Sequence, residues 1–597
     1  MNTSGHFPTS DHAARGFFNS RLRVGIDLDN TLIDYRPVFQ RLAVRHGLFP
    51  PGVTVSKEAV RNALLSRDGD DRRWQAWQAE AYGPGIDEAR LFDGARDVLQ
   101  RLHRAGIQCT IVSHKTVSAN SDPGVALRAA AWRWLVSRGL APQEEGPGGP
   151  VTGVFFEGTR ADKLRRISEL GCAVFIDDKV DLLTDRRFPT AVLAVHFAPE
   201  AACFDGRRHP VVCTAWWQIA RVVFLVEQLG VAAALSVLRR LPACPARIEP
   251  LHRAGNNRVL KLVFDDYEAL ICKRYGRFSG DRFDTAAAEV QALRFFGLVG
   301  ETAVPRLIFH DPQSRVTGLS CLTGSVVHPG AVTVSQVDEM ARFLIRLYRL
   351  SRRPAARAVG EASRSRRCLR DYLSVVVARM RRLEHCIARG GVDARLVEIY
   401  RQNVAPLFAA VRRRFLDRVA QRNWVLTRSF PRQERMLSPS DFGWHNVLNA
   451  SSGHLQFFDF EYFGWDDMAK LLADFVHHPA NAIPWSLKCR LVETVCRQTG
   501  GGTAVYERWQ VVADLIAYEW LLILLNIIDP DIQRQRLAAG RAPTPEVLIT
   551  SRIGRVRERL SRMGWSAAVS PPKHCRRGGD GPGASSSARP VVSAGTS

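Results

Sequence analysis

The order of strand-like and helix-like segments changes once along this 597-residue chain, and that change predicts two separate folds. Between Arg21 and about Ala215, short runs such as LRVGID and CAVFID alternate with amphipathic helical patterns, which is typical of a parallel, doubly wound α/β sheet. From about Arg247, the runs RVLKLVFD and EALICKRY predict an antiparallel hairpin, and helical patterns follow it. The predicted organisation is a flexible arm at 1–20, an α/β domain at 21–215, a helical linker at 216–246, an α+β domain at 247–565 and a disordered tail at 566–597.

The basic charge of the chain does not indicate a nucleic-acid partner. The net charge is +24, but only 9 of the 83 basic residues are Lys, and the 74 Arg are spread along the whole length. A binding face would concentrate basic residues on one element, so no nucleic-acid partner is predicted. The twelve Cys contain no Cys-x-x-Cys pair, which disfavours a zinc site or a disulfide framework and favours a cytoplasmic protein.

Two apolar stretches are long enough to raise the question of a membrane. The stretch at 222–238 contains Glu227, and the stretch at 511–528 contains Asp514 and Glu519. Acidic residues are costly inside lipid, and neither stretch offers an uninterrupted apolar span. We therefore predict buried helices and no membrane span.

Chemistry-bearing side chains follow three predicted strands of the first domain. Asp27 and Asp29 end one strand, and alternate residues of an extended segment point the same way, so these carboxylates converge. They would repel unless they share a cation or a proton, which indicates a Mg²⁺ site or an acid–base pair. Ligands bind at the carboxyl ends of strands in open α/β sheets. The remaining members of this constellation are a hydroxyl, a lysine and two further acids: Ser113, Lys163, Asp177 and Asp178.

These four motifs, over about Arg21–Ala215, resemble those of the haloacid-dehalogenase-like (HAD) hydrolases. The resemblance implies that Asp27 is a nucleophile that forms an aspartyl-phosphate, and that Asp29 is the acid and base. It implies that Ser113 and Lys163 hold the phosphoryl group. It also implies a Mg²⁺ ion held by Asp27, the backbone at Asp29, Asp177 and Asp178, and a small helical cap formed by 36–92.

The second domain contains a different set of residues with the spacing of a kinase. Lys273 lies in the second strand of the hairpin, and Glu289 follows in a helical pattern; a strand Lys paired to a helix Glu positions nucleotide phosphates in kinases. Asp441 and Asn446 have the five-residue spacing of a catalytic base and a metal ligand. Asp459 follows a further strand, in the place of the second metal-binding aspartate.

These parts, with DFGWHN and DFEYFGWDD as the specific ones, resemble the aminoglycoside phosphotransferase and choline kinase family over about 247–560. The resemblance implies a bilobal, protein-kinase-like fold that binds ATP between its lobes. It implies that the turn containing Asn256 and Asn257 covers the phosphates, and that Mg²⁺ is held by Asn446 and Asp459. One departure is that the family's histidine two residues before the catalytic aspartate is Pro439 here.

The sequence thus predicts a bifunctional enzyme, a Mg²⁺-dependent phosphatase joined to an ATP-dependent small-molecule O-phosphotransferase. Its partners would be a nucleotide, a phosphate ester and a hydroxyl acceptor, with sugar or amino-alcohol intermediates as the first substrates to try. Two alternatives stay open. In the first, only one half is catalytic and the other is a binding or regulatory module. In the other, the second half modifies an antibiotic. The oligomeric state is open as well.

Overall fold

The computed structural model describes residues 22–53, 55–141, 149–251, 257–276, 283–538, 542 and 544–562. The predicted arm at 1–20, the predicted tail at 566–597 and Asn256 lie outside the described residues.

The first half is built on a six-stranded sheet whose neighbouring strands are all parallel, in the order β5-β4-β1-β6-β7-β8. The strands of this half are β1 (Arg23–Ile26), β2 (Ile33–Asp34), β3 (Arg90–Leu91), β4 (Gln108–His114), β5 (Val151–Glu157), β6 (Val174–Asp177), β7 (Leu193–Phe197) and β8 (Val211–Cys213). Both faces of the sheet are covered, because alternate residues of β4, β6 and β7 belong to two different apolar clusters. The strand order reverses direction at β1, so ligand-binding side chains are expected at the carboxyl ends of β1 and its two neighbours.

The helices before Trp216, in the part of this half that the structure describes, are α1 (Arg36–Arg45), α2 (Lys57–Asp68), α3 (Arg72–Tyr82), α4 (Ala95–Arg104), α5 (Leu127–Ser137), α6 (Arg160–Glu169) and α7 (Val180–Leu183). The predicted cap region is helical, since α1, α2 and α3 lie between the short strands β2 and β3. Those two strands pair with each other in an antiparallel two-stranded sheet.

The predicted linker consists of two helices, α8 (Trp216–Leu229) and α9 (Val231–Leu238), separated by Gly230 at φ +77. Most residues of both helices are buried. They belong to one apolar cluster that begins in the first sheet and continues into strands of the second half through Ile248, Leu260, Leu262, Cys272 and Val316. The two halves therefore share a packed layer.

The second half begins with a five-stranded antiparallel sheet in the order β12-β13-β11-β10-β9. The predicted hairpin is the β10–β11 pair, in which Val259 lies opposite Lys273. The strands of this half are β9 (Arg247–Pro250), β10 (Arg258–Val263), β11 (Leu270–Arg274), β12 (Leu307–Asp311), β13 (Val316–Ser320), β14 (Ser325–Val326), β15 (Arg435–Ser438), β16 (Val447–Asn449), β17 (Leu455–Phe457) and β18 (Gly464–Asp467).

A mostly helical lobe follows, with a separate apolar core. Helix α10 (Thr285–Val299) lies between β11 and β12 in the chain and contacts β12 and β13. The helices of the lobe are α11 (Val334–Leu350), α12 (Leu369–Ala388), α13 (Ala394–Glu398), α14 (Leu407–Ala420), α15 (Met468–His477), α16 (Trp485–Gln498), α17 (Gly502–Leu524), α18 (Pro530–Ala538) and α19 (Pro545–Arg562). A π-helical turn at Ile399–Val404 and Pro406, which lacks a backbone N–H, separate α13 from α14.

Within the described residues, one helical stretch, Gly502–Ile528, is long and apolar enough to cross a membrane. It lies in the core of the helical lobe, and 72% of its most apolar window is buried. Its two buried charges have buried partners. Arg508 pairs with Asp467 at 2.7 Å, and Glu519 pairs with Arg366 at 2.7 Å.

We predict that the Glu519 carboxylate stabilises this lobe in a pH-dependent way. Burial raises the pKa of Glu519, but the Arg366 and Arg379 guanidinium groups outweigh it and lower the pKa from 4.5 to about 2. Because the folded-state pKa is depressed, this stabilisation is present above pH 4.5 and is lost as the pH falls towards 2. Glu519→Gln leaves Arg366 buried without its counter-charge and should cost about 3–5 kcal/mol at neutral pH.

Urea unfolding of the intact chain checks this prediction. The difference between Glu519→Gln and wild type should shrink as the pH falls below 4.5. Glu268→Gln is the control, because that side chain is 86% exposed, and it should change little. An equal deficit for Glu519→Gln at neutral and at acidic pH contradicts the assignment.

Candidate active sites

The first candidate site lies at the carboxyl ends of β1, β4 and β6. Asp27 directly follows β1, and its backbone N–H donates to the carbonyl of Ile176 at 2.8 Å, so its backbone is held by the neighbouring strand β6. Gly25 in β1 permits this close packing, because a Cβ there would lie 2.5 Å from the Phe175 ring. Ser113 and Asp177 come from the ends of β4 and β6 and are fully buried.

A buried lysine bridges two of these carboxylates. Lys163 donates from Nζ to Asp27 Oδ1 and to Asp177 Oδ2, both at 2.6 Å. It is held near the N-terminus of α6, where the Thr159 hydroxyl caps the helix by accepting from the backbone N–H of Asp162 at 3.1 Å. The predicted proximity of Lys163 to the strand-end acids is therefore seen in the structure.

Burial and the bridge act in opposite directions on the pKa values of Asp27 and Lys163. Burial raises the pKa of Asp27 to about 6, although the Lys163 ammonium opposes the shift. Burial disfavours the charge on Lys163, but Asp27 and Asp177 outweigh it and hold the pKa of Lys163 above its usual value. The lysine stays charged and offsets the repulsion between the two acids.

The same strand ends fit a divalent cation. Asp27, Asp177 and Asp178 each offer a carboxylate oxygen, and these three atoms lie within 4.8 Å of one another. Asp178 Oδ1 and Ser113 Oγ are buried and hydrogen-bond to none of the described residues. Burial, reinforced by Asp27 and Asp177, raises the pKa of Asp178 to about 7. Hard oxygen ligands of this kind suit Mg²⁺.

Asp29 has different surroundings from Asp27. Its Oδ2 lies 2.8 Å from Lys115 Nζ, and its Oδ1 accepts from the Tyr35 hydroxyl at 2.8 Å. Burial raises the pKa of Asp29, but Lys115 and the Tyr35 hydrogen bond outweigh it, so the pKa falls below its usual value. Asp29 is therefore ionised in the free protein. The Asp29 carboxylate is not part of the group formed by Asp27, Asp177 and Asp178. The resemblance likewise assigns only the backbone of Asp29 to the metal.

The cap also reaches this site. Lys57, the first residue of α2, donates to the Tyr82 hydroxyl at 2.7 Å, and its charge acts on both Asp29 and Asp178. Tyr35, Lys57 and Tyr82 were not predicted from the sequence. Their positions 8 to 55 residues beyond Asp27 follow no short motif, although all three lie within or next to the cap region.

The second candidate site is built around another lysine between two carboxylates. Lys273 donates from Nζ to Glu289 Oε2 and to Asp459 Oδ1, both at 2.6 Å. Glu289 is positioned by α10, whose N-terminus is capped by the Asp284 side chain. Burial disfavours the charge on Lys273, but Asp459 and Glu289 outweigh it and raise the pKa of Lys273 well above its usual value.

Three further groups hold the carboxylates around this lysine in place. Glu289 also accepts from the Tyr275 hydroxyl at 2.6 Å and, at Oε1, from the backbone N–H of Phe460 at 3.3 Å. Asn257 donates to Glu461 at 2.5 Å, next to Asp459. Asn257 therefore lies beside this site, and its role at the nucleotide phosphates stays a prediction, whereas Asn256 lies outside the described residues. Asp459 itself has φ +68, an unusual conformation for a residue other than glycine.

Asp441 lies on the loop after β15, with the preceding Ser440 at φ +62. Its Oδ1 is 3.2 Å from His445 Nε2 and 3.1 Å from His478 Nε2. Burial raises the pKa of Asp441, but the hydrogen bonds from the two histidines outweigh it and hold the pKa well below its usual range. Asn446 donates from Nδ2 to the Asp441 carbonyl at 3.0 Å, which leaves its Oδ1 as the atom for a metal.

The loop that carries Asp441 is tied to the helical lobe by Asn481. Its Oδ1 accepts from the Trp444 N–H at 3.0 Å, and its Nδ2 donates to the Phe442 and Phe475 carbonyls. Gly443 makes room for it, because a Cβ there would lie 2.6 Å from Asn481 Oδ1. Sequence reasoning missed Asn481 and His478, because each is far along the chain from the motif residue that it supports. It also missed Tyr275, which directly follows β11 but belongs to no motif.

Comparison with known proteins adds the following findings. No family model matches the chain, and no curated protein matches it. Among solved structures, the choline kinase from Cryptosporidium parvum Iowa II is 10% identical, with 53% of this chain and 89% of that chain covered and a TM-score of 0.36. A choline/ethanolamine kinase family protein from Mesorhizobium loti is 16% identical, with coverages of 52% and 87% and a TM-score of 0.34. The macrolide 2′-phosphotransferase MphH from Brachybacterium faecium is 14% identical, with coverages of 50% and 92% and a TM-score of 0.32.

TM-scores of this size do not establish a shared fold or activity. What the two sites can do therefore follows from their own geometry. That geometry is a lysine-bridged acid pair in each half, an oxygen-rich cluster at the first sheet and a histidine-held aspartate in the helical lobe.

The Lys163 bridge generates a prediction about metal binding. Lys163→Met leaves Asp27 and Asp177 facing each other while buried, so we expect the unfolding free energy without metal to fall by about 3–5 kcal/mol. Added Mg²⁺ should raise the melting temperature of the variant more than that of wild type, because a cation at the three acids replaces the lost positive charge.

The measurement is thermal unfolding of the intact chain with and without Mg²⁺. Arg165→Met on the same helix is the control, since its side chain is 65% exposed, and it should respond to Mg²⁺ as wild type does. Equal Mg²⁺ responses in all three proteins contradict a cation site at Asp27, Asp177 and Asp178.

Proposed function

We propose that the protein carries two phosphoryl-transfer activities, an ATP-dependent small-molecule O-phosphotransferase in its second half and a Mg²⁺-dependent phosphatase in its first half. The observation that carries the phosphotransferase is the Lys273 bridge between Glu289 and Asp459. The observation that carries the phosphatase is the cluster of Asp27, Asp177 and Asp178 beside Lys163 at one sheet edge.

In the second half, Lys273 binds nucleotide phosphate while Glu289 orients its ammonium, the arrangement by which kinases position ATP. Asn446 and Asp459 would hold Mg²⁺, which when bound neutralises negative charge on the phosphates. Asp441, ionised at neutral pH, accepts the proton of the attacking hydroxyl. Phosphoryl transfer needs little covalent chemistry from a protein, so most of the rate comes from holding these groups in line.

In the first half, the Asp27 carboxylate attacks phosphorus and the P–O bond to the leaving alcohol breaks, which leaves an aspartyl-phosphate. Ser113 and Lys163 bind the phosphoryl oxygens, and Asp27, Asp177 and Asp178 would hold Mg²⁺. Asp29 is ionised in the free protein, and the negative charge of a bound phosphate next to it raises its pKa, so it can protonate the leaving oxygen. It then takes a proton from water as the aspartyl-phosphate is hydrolysed.

If both activities acted on the same position of one compound, each would undo the other and the net reaction would be the hydrolysis of ATP. We therefore propose that they act at different positions or under separate control, on sugar or amino-alcohol intermediates first, with an antibiotic as the alternative acceptor. The cytoplasm is the proposed compartment, because it supplies ATP, and none of the eleven described cysteines forms a disulfide.

The phosphotransferase is tested by separating chemistry from nucleotide binding. Asp441→Asn keeps the shape of the side chain but removes the proton acceptor, so kcat should fall by about 10²–10⁴-fold while Mg·ATP affinity stays nearly unchanged. Asp459→Asn, the matched variant, should instead weaken Mg·ATP binding. Calorimetric titration and ADP release measure the two effects. If Asp441→Asn loses nucleotide binding as severely as Asp459→Asn, the division of roles is wrong.

The phosphatase is tested with p-nitrophenyl phosphate on the intact chain. Asp27→Asn should reduce hydrolysis to background, because an amide does not form the acyl phosphate, while ATP binding in the other half is retained. Asp181→Asn, at a side chain that is 70% exposed, should keep the wild-type rate. Retention of most of the rate in Asp27→Asn rules out Asp27 as the nucleophile.

A further inference from the structure

The Asp441 carboxylate is held by two histidines that approach the same oxygen. The Nε2 atoms of His445 and His478 lie 3.2 Å and 3.1 Å from Asp441 Oδ1. The two rings are stacked, with centroids 4.6 Å apart and planes 6° from parallel. A parallel pair of rings that presents both Nε2 atoms to one oxygen fixes that oxygen in position and in rotation about the side chain.

The tautomer of His478 is set by its other nitrogen. The backbone N–H of Ala480 donates to His478 Nδ1 at 3.0 Å, so Nδ1 is unprotonated and the ring proton is on Nε2, which faces Asp441. The ring is also packed against the edge of Trp520, with centroids 4.5 Å apart at 79°. His478 is therefore a fixed hydrogen-bond donor.

The same contact argues against a metal ion at this trio. Asp441, His445 and His478 offer three ligand atoms within 4.8 Å of one another, which on composition alone would suit a transition metal. A metal ligand would need an unprotonated Nε2 on His478, and a metal-bound histidine normally donates from its other nitrogen. Here Nδ1 accepts, so the ring is arranged to donate to Asp441.

This arrangement accounts for the departure at Pro439. The resemblance stated above places a supporting histidine two residues before the catalytic aspartate, and this chain has proline there. Pro439 has no side-chain donor and contributes only its carbonyl, which accepts from the Asp441 N–H at 2.8 Å. Histidine support reaches Asp441 from the end of α15 and from the loop itself.

We infer that His478, backed by His445, is a positioning residue that holds Asp441 Oδ1 and leaves Oδ2 free to accept the proton of the acceptor hydroxyl. The inference rests on the proposed phosphotransferase. His478 acts through Asp441 and touches neither the nucleotide site at Lys273 nor the acids of the first half.

The test compares His478→Phe, which keeps a stacking ring but has no donor, with His478→Gln, whose Nε2 donates from a similar distance. ADP release from Mg·ATP is measured with the intact chain. The acceptors are a panel of amino alcohols, sugars and polyols, and a reaction with water alone as the acceptor is included. His454→Phe is the control, because His454 is 80% exposed and faces Glu339, 3.4 Å away, rather than Asp441.

We expect His478→Phe to lower kcat by about 10-fold to 100-fold with an unchanged KM for ATP and an unchanged melting temperature, since displacement of a catalytic group by about 1 Å has effects of this size. His478→Gln should recover most of the rate, and His454→Phe should match wild type. If wild type is active and His478→Phe equals it, or if His478→Gln is as slow as His478→Phe, the positioning role is wrong. If His478→Phe loses ATP binding and stability together with kcat, the residue only packs the loop. If wild type releases no ADP from Mg·ATP, the proposed phosphotransferase itself fails, and the inference fails with it.

Discussion

A buried lysine between two carboxylates is the interaction on which both halves of this protein depend. Lys163 joins Asp27 to Asp177, and Lys273 joins Glu289 to Asp459, and all four contacts are 2.6 Å long. Each bridge connects elements that are far apart in the sequence, and each offsets charge that burial would otherwise disfavour. The residues that a phosphate and a cation would engage are thereby held at short range before either ligand binds.

The surrounding fold brings these groups together. In the first half, parallel strands end at one edge and deliver Asp27, Ser113 and Asp177. In the second half, an antiparallel sheet delivers Lys273 and a capped helix delivers Glu289. Helices α8 and α9 belong to one apolar cluster with both sheets, so the strand that carries Lys273 shares a core with the strands of the first site.

The residues that share a short motif or a strand end were predictable from the sequence. The convergence of Asp27 with Asp177, and the pairing of Lys273 with Glu289, follow from strand ends that meet and from the spacing of kinase motifs. The partners of Asp29 and Asp441 were not predictable in this way. Lys115 and His478 reach their carboxylates through tertiary packing, and no local sequence pattern indicates a contact between residues as far apart as Asp441 and His478. Tyr35 is only six residues after Asp29, but it belongs to no short motif. The packing of the 216–246 helices against both sheets likewise depends on long-range contacts.

We propose that the chain holds two separate phosphate-binding sites, one at each lysine bridge. A crystal structure of the intact protein with Mg²⁺, an unhydrolysable ATP analogue and orthovanadate tests both sites at once. We expect the triphosphate of the analogue between Lys273 and Asp459, and vanadate beside Asp27 within reach of Ser113 and Lys163. Nucleotide bound away from Lys273, or vanadate absent from Asp27 at saturating concentration, would show that the proposal is wrong.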